Sequence, residues 1–165
     1  MLLEYDFFER SRNTKGAFVN HFVDNNDGTV TDKATGLMWQ KSGSSSSLEN
    51  RGAKEYIKRL NRKRFAGHSD WRMPTVEELA SLLAKSSKSG VHIDPVFDHK
   101  RIICWTVDKC DTNSTLQSGA WIVSFKHGEV SKAMWIKRST ASVNRKNEYP
   151  DINQMNYVKA VRSAK

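Results

Sequence analysis

Apolar positions at Val76, Leu79, Leu82 and Leu83 fall at helical spacing, so one face of a helix is apolar over this stretch. Thr75 and Glu78, three residues apart, form a capping box that predicts where that helix begins. An earlier stripe at Ala53, Tyr56, Ile57 and Leu60 predicts a longer helix, with Ser46 and Glu49 as the capping box in front of it. Between the two, Gly67 is expected to break the first helix, and Trp71-Arg72-Met73 suits a short buried extended segment. Pro74 ends that segment and keeps Met73 out of the helical region. Trp71 is therefore expected at the joint between two helices and a sheet.

Elsewhere the apolar pattern alternates or runs continuously, and it predicts strands. Ala17-Phe18-Val19 and Phe22-Val23 lead to Asn26-Asp27-Gly28, where an Asp-Gly turn with positive φ at both positions returns the chain through Thr29-Val30-Thr31. Leu37-Met38-Trp39-Gln40 follows, with Trp39 expected in the core. Residues 102–107 read as a buried strand, and residues 108–119 as a polar loop carrying Cys110. Trp121, Val123 and Phe125 alternate on one face of a strand over residues 120–125, which turns at Gly128 into residues 130–136. Residues 137–155 show no period, and a strand over residues 157–161 closes the chain. The expected organisation is an N-terminal arm over residues 1–15 and a single domain over residues 16–165.

Composition adds one strong bias. The chain has 165 residues, 38% of them hydrophobic, enough for one well-buried core and too few for two ordinary domains. Its formal charge is +9, and the charge is concentrated. Arg51, Lys54, Lys58, Arg59, Arg62, Lys63 and Arg64 face Glu55 alone, so residues 51–64 hold six of the nine excess positive charges. Such a run predicts an anion-binding patch on the polar face of the first helix. A second candidate is the aperiodic stretch that carries Lys137, Arg138, Asn144, Arg145, Lys146, Asn147, Tyr149 and Asn153. Adaptable polar groups with a tyrosine anchor, pinned by strands at both ends, suit a ligand-binding loop.

Catalytic and metal chemistry find little footing. Asp24 opens an acidic loop, but glycine already occupies the fifth position from it, which breaks the calcium-loop spacing. His92 and His99 lie seven apart with no third ligand in view, so no metal and no cofactor are expected. Cys104 and Cys110 read as two free thiols, with a local disulfide as the alternative. There is no serine elbow and no phosphate-cradling glycine loop. No apolar run is long enough to span a membrane, and the first residues lack a signal-peptide pattern. That predicts a cytoplasmic chain if Met1 is the native start, and an exported one if the sequence is a domain of a longer protein.

Four blocks in order carry a family resemblance. These are Asp24-Asn25-Asn26-Asp27-Gly28-Thr29-Val30-Thr31-Asp32 leading into Ala34-Thr35-Gly36-Leu37-Met38-Trp39-Gln40; Gly67-His68-Ser69-Asp70-Trp71-Arg72-Met73-Pro74-Thr75; Ala120-Trp121-Ile122-Val123-Ser124-Phe125 with His127-Gly128; and Tyr157-Val158-Lys159-Ala160-Val161-Arg162. Together they resemble the C-terminal domain family of the Legionella collagen-like protein, with Trp39, Gly67, Asp70, Trp71, Arg72, Pro74 and Trp121 as its structural signature. The resemblance implies an α+β, C-type lectin-like fold, with two helices packed on a mainly antiparallel, twisted sheet and long irregular loops. The resemblance implies no particular ligand; taken with the basic charge, the expectation is a non-enzymatic, adhesin-like recognition module whose partner is an anionic glycan or a protein. Charge alone also admits nucleic acid, without a supporting motif. Two other functions follow from kinship of fold: a retroelement-diversified ligand-binding protein, and a cysteine-dependent oxidase of the formylglycine-generating type. The oligomeric state is not written in the sequence.

Overall fold

The first sheet joins the two ends of the domain. In the computed structural model, which describes residues 20–84, 90–112, 115, 117–136 and 154–165, it contains β1 (Phe22–Asp24), β2 (Thr29–Asp32), β3 (Leu37–Gln40) and β7 (Val161–Ser163). They lie in the order β1-β2-β3-β7, all antiparallel. The expected residues 1–15 arm and Ala17-Phe18-Val19 lie outside the described residues. In the β1–β2 turn, positive φ is taken by Asn26 and Gly28, not by Asp27 and Gly28. Two Asx turns explain the difference: the Asn26 N–H donates to Asp24 Oδ1 and the Thr29 N–H to Asp27 Oδ1, each at 3.0 Å.

The second sheet is β4 (Ile103–Cys110), β5 (Gln117–Ser124) and β6 (Glu129–Ile136), antiparallel in that order. β4 runs on to Cys110, so the polar loop expected from residue 108 is shorter. A register shift between Trp105 and Lys109 carries the strand past Asp108, whose Oδ2 accepts the Val76 N–H at 2.6 Å. β5 is central and buried on both faces: Val123, with Phe125 just past the strand end, enters one apolar cluster, and Ala120 and Ile122 another. The single apolar face expected for Trp121, Val123 and Phe125 is thus replaced by two. Trp121 is half-buried, with the Lys132 ammonium 5.2 Å from its ring centroid.

Residues 156–160 tie the sheets together before β7 begins at Val161, later than the strand expected from Tyr157. The Tyr157 N–H donates to the Ile103 carbonyl, and the Trp105 N–H to the Tyr157 carbonyl, each at 2.9 Å. Asn156 exchanges backbone hydrogen bonds with Leu48. This segment therefore bonds to β4 and to the chain before the first helix. Gly43 is needed here: with φ of +78°, any Cβ would lie 2.7 Å from the Val158 carbonyl oxygen.

Two helices complete the α+β fold among the described residues. α1 (Asn50–Arg62) starts after Glu49, which makes no side-chain cap, so the expected Ser46–Glu49 box does not form. The Leu48–Asn156 bridge holds the chain extended up to that point and sets the start instead. α2 (Val76–Ala80) has the expected box: Thr75 Oγ1 accepts the Glu78 N–H at 3.2 Å, and Glu78 Oε2 accepts the Thr75 N–H at 2.9 Å. It ends before Leu82 and Leu83, because Leu83 turns away to bridge Ile93.

α1 does not continue to Gly67. Arg64 (φ 48°, ψ 51°) leaves the helix in the left-handed region, and Ala66 (φ 50°, ψ 31°) repeats it inside a 3-10 turn over Phe65–Gly67. A side chain in that region costs roughly 1–2 kcal/mol, partly offset in a glycine variant by a freer unfolded chain. Ala66→Gly is therefore expected to stabilise the protein by about 0.5–1 kcal/mol and raise Tm by roughly 1–4 °C. A lower Tm in a thermal melt would show that the methyl group matters more than the strain.

Candidate functional site

Trp71 is 2% exposed and packs with Leu60 of α1 and Ala160 beside β7. The side chain of Asn61 replaces a strand neighbour for it. Asn61 Oδ1 accepts the Trp71 N–H at 2.8 Å, and its Nδ2 donates to the Trp71 carbonyl at 2.9 Å. The indole N–H donates to the Phe65 carbonyl at 3.0 Å. Gly67 supplies the positive φ, +83°, that the chain needs on its way to Trp71.

The charges flanking this tryptophan close structural links. Arg162 of β7 grips Asp70 with two bonds, Nε to Oδ1 at 2.7 Å and Nη2 to Oδ2 at 3.2 Å. Arg72 does the same to Glu78, at 2.7 and 2.6 Å, while its backbone pairs with Val161. Each guanidinium holds its carboxyl partner below the ordinary range. Pro74 is buried, and its carbonyl accepts the Val107 N–H at 2.8 Å. Trp39 of β3 is fully buried in the main apolar cluster.

The polar face of α1 is different. Arg51, Lys54, Lys58, Arg59 and Arg62, followed by Lys63 and Arg64, are all exposed. Glu55 pairs with Lys58 at 2.8 Å, and among the described residues no other carboxylate is ion-paired with the run. Arg59 lies over the Tyr56 ring at 5.8 Å. The helix thus presents positive charge to solvent along its whole length.

Beneath its N-terminal half, a cavity of about 1060 Å³ opens between α1 and the bulged end of the second sheet. Arg51 and Lys54 stand on one wall, Val107 and Lys109 on the other, and Trp135 closes one side. Trp135 is held edge-on against Trp105, centroids 5.7 Å apart at 85°, and the Trp105 indole is fixed by a 2.7 Å bond to the Leu48 carbonyl. Gly119 makes the floor possible, because a Cβ there would lie 2.5 Å from Cys110 Sγ. Asp111 is the one carboxylate among the described lining residues, against Arg51, Lys54, Lys109 and the already paired Arg72.

Neither cysteine is poised for chemistry. Cys104 is fully buried, and burial pushes its thiol up to about 11. Cys110 is partly buried and is also shifted upward by desolvation. Both are free thiols, and their ladder partners on β5, Val123 and Gly119, are four positions apart, so at about 3.3 Å per residue the two cysteines lie on the order of 13 Å apart along the sheet. A disulfide or a paired-thiol oxidation site needs them within about 7 Å. Among the described residues no group of three or more ligating side chains could hold a metal ion, and no helix is long and apolar enough to cross a membrane.

The loop candidates Lys137, Arg138, Asn144, Arg145, Lys146, Asn147, Tyr149 and Asn153 lie outside the described residues. Within them, the structure brings Arg51 and Lys54 to the cavity and leaves Lys58, Arg59, Arg62, Lys63 and Arg64 on the open face of the helix run. Val107 and Lys109 were not foreseen as lining residues. Their signal is the alternation that continues β4 beyond residue 107, where both side chains are exposed.

Residues 28–146 match the family described as the Lcl C-terminal domain, and the chain belongs to that family. No curated protein and no solved structure matches it.

Proposed function

We propose that this member of the Lcl C-terminal domain family is a non-enzymatic recognition module that binds an anionic glycan or an acidic protein surface through α1. We also propose that its two helices and two antiparallel sheets are a variant of the C-type lectin-like fold, a reading supported by family membership and element content.

The observation that carries the functional reading is the basic face of α1, where among the described residues Glu55 is the one carboxylate ion-paired with the exposed cations. Lys54 and Lys58, Lys58 and Arg62, and Arg59 and Lys63 are like-charge pairs four apart, each unfavourable by roughly 0.2–0.5 kcal/mol. Neighbours at that spacing lie well inside the Debye length of about 8 Å at physiological salt, so their fields add. A soluble surface ordinarily intersperses both signs, and this face departs from that pattern. A dense array of one sign suits a ligand with closely spaced sulfate or carboxylate groups, met by exposed guanidinium and ammonium groups. In this reading the stretch carrying Arg138, Arg145, Tyr149 and Asn153 adds ligand contacts, on the strength of its composition.

Reversing Lys58, Arg59, Arg62 and Lys63 to glutamate is expected to weaken binding to a sulfated polysaccharide at least roughly tenfold at physiological salt. The salt dependence should flatten by about one log-log unit for each cation that no longer meets a sulfate group. Unchanged retention on a heparin column at matched salt would overturn the proposal.

A further inference from the structure

We infer that the groove between α1 and the bulged end of the second sheet binds an extended acidic peptide segment that carries an apolar anchor side chain, supplied by a protein partner. The inference rests on the reading of the chain as a recognition module, but it uses a surface other than the outer face of α1.

The groove offers two chemistries where the helix face offers one. The register shift between Trp105 and Lys109 takes Val107 out of the β4–β5 ladder and turns its side chain outward, 54% exposed. Its backbone is not loose, since its N–H donates to the Pro74 carbonyl at 2.8 Å. A β-branched apolar side chain fixed in this way is a ready contact for a partner's apolar group, and the Trp135 ring adds an aromatic wall. Arg51 and Lys54 across the groove, with Lys109 beside Val107, supply cations on both walls.

Charge complementarity therefore calls for carboxylates, and Val107 with Trp135 calls for an apolar group between them. A sulfated polysaccharide satisfies the first demand and leaves the second unmet. A peptide alternating acidic and apolar side chains satisfies both, because successive side chains of an extended chain point to opposite sides. Size agrees. At about 1060 Å³ the groove is at the upper limit of ordinary small-molecule sites, roughly 300–1,000 Å³, and suits a length of chain.

The test is fluorescence polarisation at physiological salt with a labelled octapeptide of alternating glutamate and leucine, an all-glutamate octapeptide and a heparin octasaccharide. Wild-type protein is expected to bind the alternating peptide at least tenfold more tightly than the all-glutamate one. Val107→Asp and Lys109→Glu, both at exposed positions and checked for unchanged Tm, should each weaken that binding at least fivefold. A variant with Lys58, Arg59 and Lys63 changed to glutamine should stay within about twofold of wild type for the peptide while losing heparin affinity. Equal affinity for the two peptides, no binding of the alternating peptide, or loss only in the helix-face variant would overturn the inference. So would groove substitutions that weaken the octasaccharide and leave the peptide unaffected. Heparin affinity that survives in the helix-face variant counts against the α1 proposal alone, so the two ideas fail separately.

Discussion

Replacing Trp71 with alanine is expected to lower the free energy of unfolding by about 3–5 kcal/mol, the range for truncating a buried tryptophan. The indole is almost wholly buried, and it is where α1, β7 and the 3-10 turn meet. Its ring lies 5.6 Å from that of Phe65, and its N–H holds the Phe65 carbonyl. Alanine would leave a large void and remove one of the two donors to the Phe65 carbonyl, which keeps the His68 N–H at 3.0 Å. The Asn61 clamp acts on backbone atoms and should survive, so the loss is confined to the side chain. Trp71→Phe keeps most of the ring and loses the hydrogen bond, so it should cost about 1–2 kcal/mol less than alanine. Urea denaturation with an unchanged m-value measures both. A cost below about 1 kcal/mol for alanine would mean that the helix and sheet are joined elsewhere.

How much of this was legible in the sequence depends on the distance over which each feature is decided. The α2 start was legible because Thr75 and Glu78 settle it within three residues. The start of α1 was not, because the Leu48–Asn156 bridge sets it from the far end of the chain. The basic face could be read directly, since charges at helical spacing need no tertiary information to share a side. The groove could not. It exists because α1 lies over the end of a sheet whose central strand carries Gly119, and because a bulge re-aims Val107. Alternation marks residues 157–161 as extended, but it does not say that the Lys159 position is covered on every side. The family was legible from four short blocks, whereas the ligand is written in none of them.

That covered lysine carries the other large effect. Lys159 is fully buried, with Nζ donating to the carbonyls of Lys41 at 2.9 Å and Gln40 at 3.4 Å, and 4.9 Å from the Phe97 centroid. The nearby carboxylate of Asp98 is bonded to Arg101 instead. Burial lowers the Lys159 pKa from 10.5 to about 8, and burial raises the neighbouring Cys104 from 9.0 to about 11. Between pH 8 and 10.5 the unfolded chain holds the lysine proton that the folded protein has released, so this term makes stability rise with pH. Its cost is fully present below pH 8 and amounts to something on the order of 3 kcal/mol. Between pH 9 and 11 the folded protein keeps the thiol proton that the unfolded chain releases, so the cysteine makes stability fall over that window. Wild type should therefore gain stability from pH 8 to 9, change little to about 10.5, and decline towards 11. Lys159→Met should abolish the rise, and Cys104→Ala should let it continue to about 10.5. At pH 7 the methionine variant should lie near wild type, because relief of the buried charge is offset by the roughly 1–3 kcal/mol cost of leaving the Gln40 carbonyl unpaired, while the Lys41 carbonyl keeps the Asp98 N–H at 3.3 Å. Chemical denaturation at half-unit pH steps separates these terms. If the Lys159→Met curve runs parallel to wild type from pH 8 to 10, the ammonium is solvated and residues 156–160 pack loosely between the sheets.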